Sequence, residues 1–329
     1  MNSPLLSADQ KEIVLKCATI APEGFLWAEV IKKFSSEIQE KTSGAVRMEW
    51  YFSSIAGDEP EIAKKIKEGN LDCAWLTGNG LSYIIPPVRI LELPFFLKNI
   101  KEVDFIRKKV EKLFQILASD YGMKFFGFSD IGFVYIFSKE PVRGLSDLRG
   151  KVMWVWDGDY LGEFIGKVVQ EEFQVKPFRL PIQNVKANLD HIHVVWETPY
   201  VLIMLGWDTS FRYILSHPLK FSFAAPVVSQ KSFSKIPTNY QKIFEDVLRK
   251  YIDVLTDINR ESEVKIFEII LFYRKMGIKM IDFTPTEVKE AENIFREKVW
   301  VALKDKVYPS WLLAELLTMI HMFRTGEVR

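Results

Sequence analysis

Cysteine and histidine are scarce in this chain, with two and four residues among 329. Cys17 and Cys73 each sit inside an apolar, strand-like run, and neither falls in a CxxC or metal-ligand spacing. Two buried free thiols are the expectation, rather than a disulfide, and the redox compartment stays open. Charge of one sign is also missing: 44 basic residues against 43 acidic ones leave a formal charge of +1. Without a net field to gather phosphates, nucleic acid is not an expected partner, and charge alone gives no reason to sit on a membrane surface. Long hydrophobic runs are absent too. Trp196 to Trp207 contains Glu197 and is far shorter than the roughly 20 residues that span a bilayer. Met1-Asn2-Ser3-Pro4 leads into polar Ala8-Asp9-Gln10-Lys11, not into an apolar leader core. Either the chain is cytoplasmic or a signal has been removed.

The motifs of several chemistries are lacking as well. Gly78-Asn79-Gly80 has neither the third glycine of a dinucleotide fingerprint nor the lysine of a phosphate loop. There is no GxSxG elbow and no HExxH pair. Asp157-Gly158-Asp159 starts like a calcium loop, but Leu161 and Val168 stand where oxygen ligands are required, so an acidic turn or helix N-cap is the better reading. His191 and His193 share one side of a strand without a third ligand nearby, and read as solvated or hydrogen-bonded histidines. Asp157, Asp159 and Glu197 could supply a carboxylate pair, yet nothing singles out a nucleophile. No metal, cofactor or catalytic residue is expected, and the chain reads as a non-enzyme.

What is present is an ordinary globular composition, 48% hydrophobic and 26% charged, in a chain too long for one small core. Ile13 to Thr19 reads as a strand, and Trp27, Val30, Ile31, Phe34 and Ile38 recur at helical spacing until Gly44. A strand at Val46 to Phe52, a helix around Ile62 and Ile66, and a strand at Leu71 to Leu76 complete a βαβαβ unit with a mostly parallel sheet. A second α/β region follows, with a helix at Val103 to Ala118 and strands at Lys124 to Phe128, Phe133 to Ser138, Lys151 to Trp156, Phe178 to Leu180 and Val194 to Trp196. Between Pro237 and Gly277 no proline or glycine interrupts a helical apolar spacing, which predicts one helix long enough, at about 50 Å, to touch both lobes. Thr284-Pro285-Thr286-Glu287 has capping-box spacing, and a last helix from near Pro309 should bury Leu312, Leu313, Leu316 and Ile320.

Several short segments, in order over nearly the whole chain, carry a family resemblance. Thr42-Ser43-Gly44-Ala45-Val46 precedes a strand, and Gly57-Asp58-Glu59 is followed by Ile66-Lys67-Glu68-Gly69-Asn70-Leu71-Asp72. Leu93-Pro94-Phe95-Phe96 and Leu145-Ser146-Asp147-Leu148-Arg149-Gly150-Lys151-Val152 come next. Together they resemble the DctP-type substrate-binding subunits of TRAP transporters. The resemblance implies an α/β, two-lobe clamshell of the periplasmic-binding-protein type II kind, each lobe a mixed sheet flanked by helices, with the long helix bracing both. It places residues 1–129 plus 220–260 in lobe I and 130–219 plus 261–329 in lobe II, with a ligand cleft between. It also implies a periplasmic location after loss of a signal, a small-molecule ligand, and a membrane permease as partner.

Where the family usually carries a carboxylate-binding arginine, on the strand after the DLkG motif, this chain has Trp154. An indole in place of a guanidinium removes five donors and a fixed charge, so an apolar or aromatic ligand is expected. Val195-Trp196-Glu197-Thr198-Pro199-Tyr200 resembles the "vDgqENp" strand with Thr198 in place of its asparagine. The expected ligand-binding set is therefore Phe25, Trp75, Val134, Trp154, Trp156, Trp196 and Tyr200 for apolar contact, with Thr77, Asn79, Glu197 and Thr198 as polar anchors. Trp207 was weighed for the same cleft, and the alternative for every one of these tryptophans is plain core. The wording Met153-Trp154-Val155-Trp156-Asp157-Gly158-Asp159 resembles a subset partnered by a tetratricopeptide-repeat lipoprotein. An organic-acid ligand, or an enzyme or scaffold built on the same two lobes, stands as the alternative.

Overall fold

The computed structural model describes residues 12–268 and 277–328. In chain order it begins with β1 (Ile13–Ala18), α1 (Leu26–Lys41), β2 (Val46–Tyr51), α2 (Glu59–Lys67), β3 (Cys73–Thr77) and α3 (Gly78–Ser82). A 3₁₀ segment, Pro86–Glu92, leads to α4 (Ile100–Asp120), β4 (Met123–Phe125) and β5 (Ser129–Ser138). Next come β6 (Val152–Trp156), α5 (Tyr160–Phe173), β7 (Lys176–Leu180), α6 (Ile182–Val185), β8 (Val194–Glu197) and α7 (Pro199–Met204). The chain continues through β9 (Tyr213–Leu215), β10 (Lys220–Ser229), α8 (Gln230–Phe233) and α9 (Thr238–Glu268). It closes with β11 (Lys279–Ile281), α10 (Pro285–Phe295), α11 (Val301–Leu303) and α12 (Ser310–Thr325).

These elements fall into two compact units. Unit 1 takes the chain up to Ile85, Val110–Asp130 and Ala224–Ile258, and unit 2 takes Pro86–Lys109, Ile131–Phe223 and the chain from Asn259 on. The expected lobe I is residues 1–129 plus 220–260. Pro86–Lys109 goes instead with unit 2, where Arg89 and Glu92 find the ionic partners described below. The chain passes from unit to unit between Ile85 and Pro86 and again within α4, β5, β10 and α9. Continuation of the long helix toward Gly277 lies outside the described residues.

In unit 1, β1 lies between β2 and β3 in parallel, and β10 pairs antiparallel with β3 and β4. The amphipathic face of α1 buries Val30, Ile31, Phe34 and Ile38, with Phe34 packed edge-on against Phe244 and Tyr251 of α9. Asp58 and Glu61 form a capping box at the start of α2, which aims the next residue, Glu59, inward. In unit 2, β6 runs parallel to β7 and β8, β5 is antiparallel to β8 and β9, and β11 is parallel to β9. The capping box at Thr284 and Glu287 forms as its spacing predicts. Beyond α10 the helix passes through a π turn, Arg296–Trp300, into α11, and α12 buries Leu312, Leu316 and Ile320 with Leu313 only half covered.

One expectation is overturned. Cys17 and Cys73 are register partners on adjacent parallel strands and are joined by a disulfide, with Cα atoms 4.5 Å apart. Alternation puts a residue of each strand on the same face, and here both are cysteine, a pairing that sequence separation of 56 residues hides. Closing a loop of that length restricts the unfolded chain by roughly 4 kcal/mol. Accordingly the native protein should resist thiol alkylation until reduced and should melt several degrees lower after reduction. Free labelling of both cysteines in the unreduced native protein would refute the pairing.

Candidate functional site

In unit 1, β3 ends at Thr77 and turns at once into α3. Glu59 fixes this turn, because its carboxylate accepts from the Thr77 N–H at 2.7 Å, the Thr77 hydroxyl at 2.6 Å and the Gly80 N–H at 2.7 Å. Residue 80 has no room for a side chain: a Cβ there would stand 2.9 Å from that of Glu59. Burial pushes Glu59 up to about 7 against the three donors, and the charge of Asp58 adds a smaller upward push.

Within this turn lies Asn79, 2% exposed. Its backbone N–H donates to Thr77 Oγ1 and its carbonyl accepts from Ser82 Oγ, but neither the oxygen nor the nitrogen of its side-chain amide has a partner among the described residues. Most buried polar side chains are satisfied, so an amide left this way costs folding free energy and marks a place where a polar group from elsewhere fits. Trp75 is a core residue of unit 1, its indole N–H donating to Ser129 Oγ at 3.3 Å. Phe25 stands at the N-cap of α1 without a side-chain cap bond and is 40% exposed.

Unit 2 holds a buried ionic cluster that sequence reasoning missed. Arg89 donates to Glu92 at 2.6 Å and to Asp159, at the N-cap position of α5. Glu92 accepts in addition from Lys220 at 2.9 Å, the Ser222 hydroxyl at 3.0 Å and the Phe223 N–H at 3.0 Å. Burial would raise the Glu92 carboxyl, but the charges of Lys220 and Arg89 and the Phe223 N–H overrule it and hold it down at about 2. Glu197 lies within the field of this cluster. It accepts from the Thr198 N–H at 2.8 Å, and burial pushes it up to about 7, with Glu92 and Asp159 adding to the push and Lys220 opposing it.

Trp154, Trp156, Trp196 and Trp207 of unit 2 are buried. Trp154 is 1% exposed, donates its indole N–H to the Leu180 carbonyl at 3.0 Å, meets Trp207 edge-on at 5.2 Å and stacks with Trp156 at 6.1 Å. Val155 points the other way, against Gly166 of α5, as strand alternation requires. Val134 and Trp196 are buried on β5 and β8, and the Val134 carbonyl accepts from the Leu219 N–H. Tyr200 is half-buried, and burial raises its hydroxyl. Of the four polar anchors, Thr77 serves Glu59, Thr198 accepts from the Val201 N–H to cap α7, and Glu197 accepts from the Thr198 N–H. The Asn79 amide remains. A signal for the missed cluster was in the sequence: Arg89 and Glu92 interrupt the apolar stretch Val88–Leu93 at helical spacing, and charges inside such a stretch tend to be buried in pairs. The four-donor environment of Glu92 has no such signal, since Lys220 and Ser222 lie far along the chain.

Residues 17–171 match DctP, bacterial extracellular solute-binding protein family 7. Just under half of the chain thus resembles that family. The chain is 20% identical to the 2,3-diketo-L-gulonate-binding periplasmic protein of Escherichia coli, over 70% of its own length and 77% of that protein. Its fold is the two-lobe fold of TRAP periplasmic solute-binding proteins. It superposes on one from Desulfovibrio salexigens with bound orotic acid at a TM-score of 0.81 and 15% identity, covering 96% of this chain and 100% of the other. On one from Haemophilus influenzae with bound L-gulonate the TM-score is 0.78 at 18% identity, covering 94% and 99%. Among the described residues, no helix of the chain is long and apolar enough to cross a membrane, and no group of three or more His, Cys, Asp or Glu residues is placed to hold a metal ion.

The titrations predict a pH dependence of stability. Glu197 and Glu59 have raised native values, so what they contribute is present below 4.5 and lost as pH rises through about 7. Glu92, held at about 2, has the opposite sign and contributes throughout that window. Thermal melts should therefore fall by several degrees from about pH 5 to about pH 8, and Glu197→Gln should flatten part of that slope. An unchanged slope in the variant would remove Glu197 from the account.

Proposed function

We propose that the chain is the ligand-capturing, extracytoplasmic subunit of a TRAP-type transporter, and that its ligand is a neutral, largely apolar small molecule oriented by the amide of Asn79. The observation that carries this reading is that amide, buried without a partner on a turn that Glu59 holds in place. The ligand class follows from the cations. An indole occupies position 154, where the resemblance puts an arginine, and the buried Arg89 is bonded to two of the chain's own carboxylates. Binding is the whole activity, and a membrane permease takes the ligand-loaded form as its partner. The Cys17–Cys73 disulfide suits an oxidising compartment such as the periplasm. A tetratricopeptide-repeat lipoprotein that hands on a hydrophobic ligand is the further partner this reading invites.

A second reading, an organic-acid ligand, is favoured by the acids bound to the structural neighbours from Desulfovibrio salexigens and Haemophilus influenzae. Thermal-shift titration separates the two. Neutral aromatic compounds should raise the melting temperature, while orotate, succinate and L-gulonate should leave it unchanged. Asn79→Leu keeps the heavy-atom count and the branch at Cγ and has no orphan polar atoms, so the ligand-free variant should melt as high as wild type or higher while its ligand response falls about tenfold in affinity. Stabilisation of wild type by the acids alone would establish the second reading, and an undiminished response in Asn79→Leu would dismiss the amide as an anchor.

A further inference from the structure

Asp159 occupies a position at which an aspartate ordinarily caps its helix, yet its side chain makes no cap bond with α5. Its carboxylate is turned instead to Arg89. The approach is possible because residue 162 is glycine: a Cβ there would stand 2.6 Å from Asp159 Oδ2. The two carboxylates on Arg89 differ in how they are held. Glu92 is tied by Lys220, Ser222 and the Phe223 N–H as well, and with a side chain 2% exposed it is part of the framework. Among the described residues the Asp159 carboxylate is bonded to Arg89 alone, and its side chain is the more exposed of the two at 11%. The Arg89 guanidinium, itself 2% exposed, thus has one permanent carboxylate and one that is attached only by the bond it makes.

We propose that Asp159 is an internal stand-in for a ligand carboxylate: it fills the anion place on Arg89 and thereby excludes small organic acids from unit 2. The inference deepens the proposed function and rests on it, since it supplies the reason why a neutral ligand is preferred. A planar guanidinium binds a carboxylate in the same geometry whether the group belongs to the chain or to a solute, so vacating position 159 converts the pair into a receptor for a free acid. Loss of one charge also leaves Arg89 and Lys220 facing Glu92, a balance that favours an incoming anion.

The test is chemical rescue with Asp159→Ser, in which serine can still cap α5 while leaving the carboxylate place empty. Its melting temperature should drop in chloride and recover in formate or acetate at equal ionic strength, and calorimetry should show it binding formate or acetate about tenfold or more tighter than wild type. Asp159→Asn, which keeps the place filled, should show no such gain. If neither wild type nor Asp159→Ser responds to the acids, the stand-in is overturned and the neutral-ligand reading is untouched. If wild type binds them as well as the variant does, the neutral-ligand reading falls and the stand-in with it. Should Asp159→Ser not fold in chloride, recovery of folded protein in acetate supports the proposal, and failure to recover in either salt overturns it.

Discussion

A guanidinium removed from water has to be neutralised by something, and in unit 2 that constraint organises the structure around Arg89. Stripping one partner from such a group costs several kcal/mol, so the segments that supply partners are fixed together. Glu92 comes from the same 3₁₀ segment, Asp159 from the start of α5, and Lys220 with Ser222 from the start of β10. That is why Pro86–Lys109 folds with unit 2 even though its sequence neighbours belong to unit 1. In the proposed function, the same closed set of charges is the reason for expecting a neutral ligand.

Unit 1 handles its buried carboxylate differently. Glu59 spends its acceptor capacity on two backbone N–H groups and one hydroxyl of a single turn, which makes that turn rigid. Asn79 lies in that turn, and its amide has no partner among the described residues. Leaving it so gives up stability at one residue, which suits the proposed role of the amide as a ligand anchor. One carboxylate therefore closes a cluster and the other holds a donor and acceptor open, and the contrast is the physical content of the functional reading.

Elements whose cause is local were legible in the sequence. The βαβαβ opening, the capping box at Thr284, the helix after Pro237 and the last helix all follow from spacing over a few residues. The DctP resemblance likewise rested on short ordered segments, and it carried the two-lobe fold. What the sequence concealed are pairings across long separations. Cys17 meets Cys73 only through strand register, and Glu92 meets Lys220 only through the fold. Trp154 is expected at the ligand because of what it replaces; its indole N–H is bonded to Leu180 and its ring is packed against Trp207. Composition shows that an indole is present and says nothing about which way it faces. Asn79 was legible as a polar residue among glycines, but its lack of partners is a property of three-dimensional closure.

The account turns on the nature of the ligand, and native mass spectrometry of the purified protein, followed by organic extraction and identification of what co-purifies, reads that directly. The account predicts a neutral, apolar or aromatic molecule bound one to one, with at least one polar group able to meet an amide. Recovery of a small organic acid instead, bound at the same stoichiometry, would contradict it.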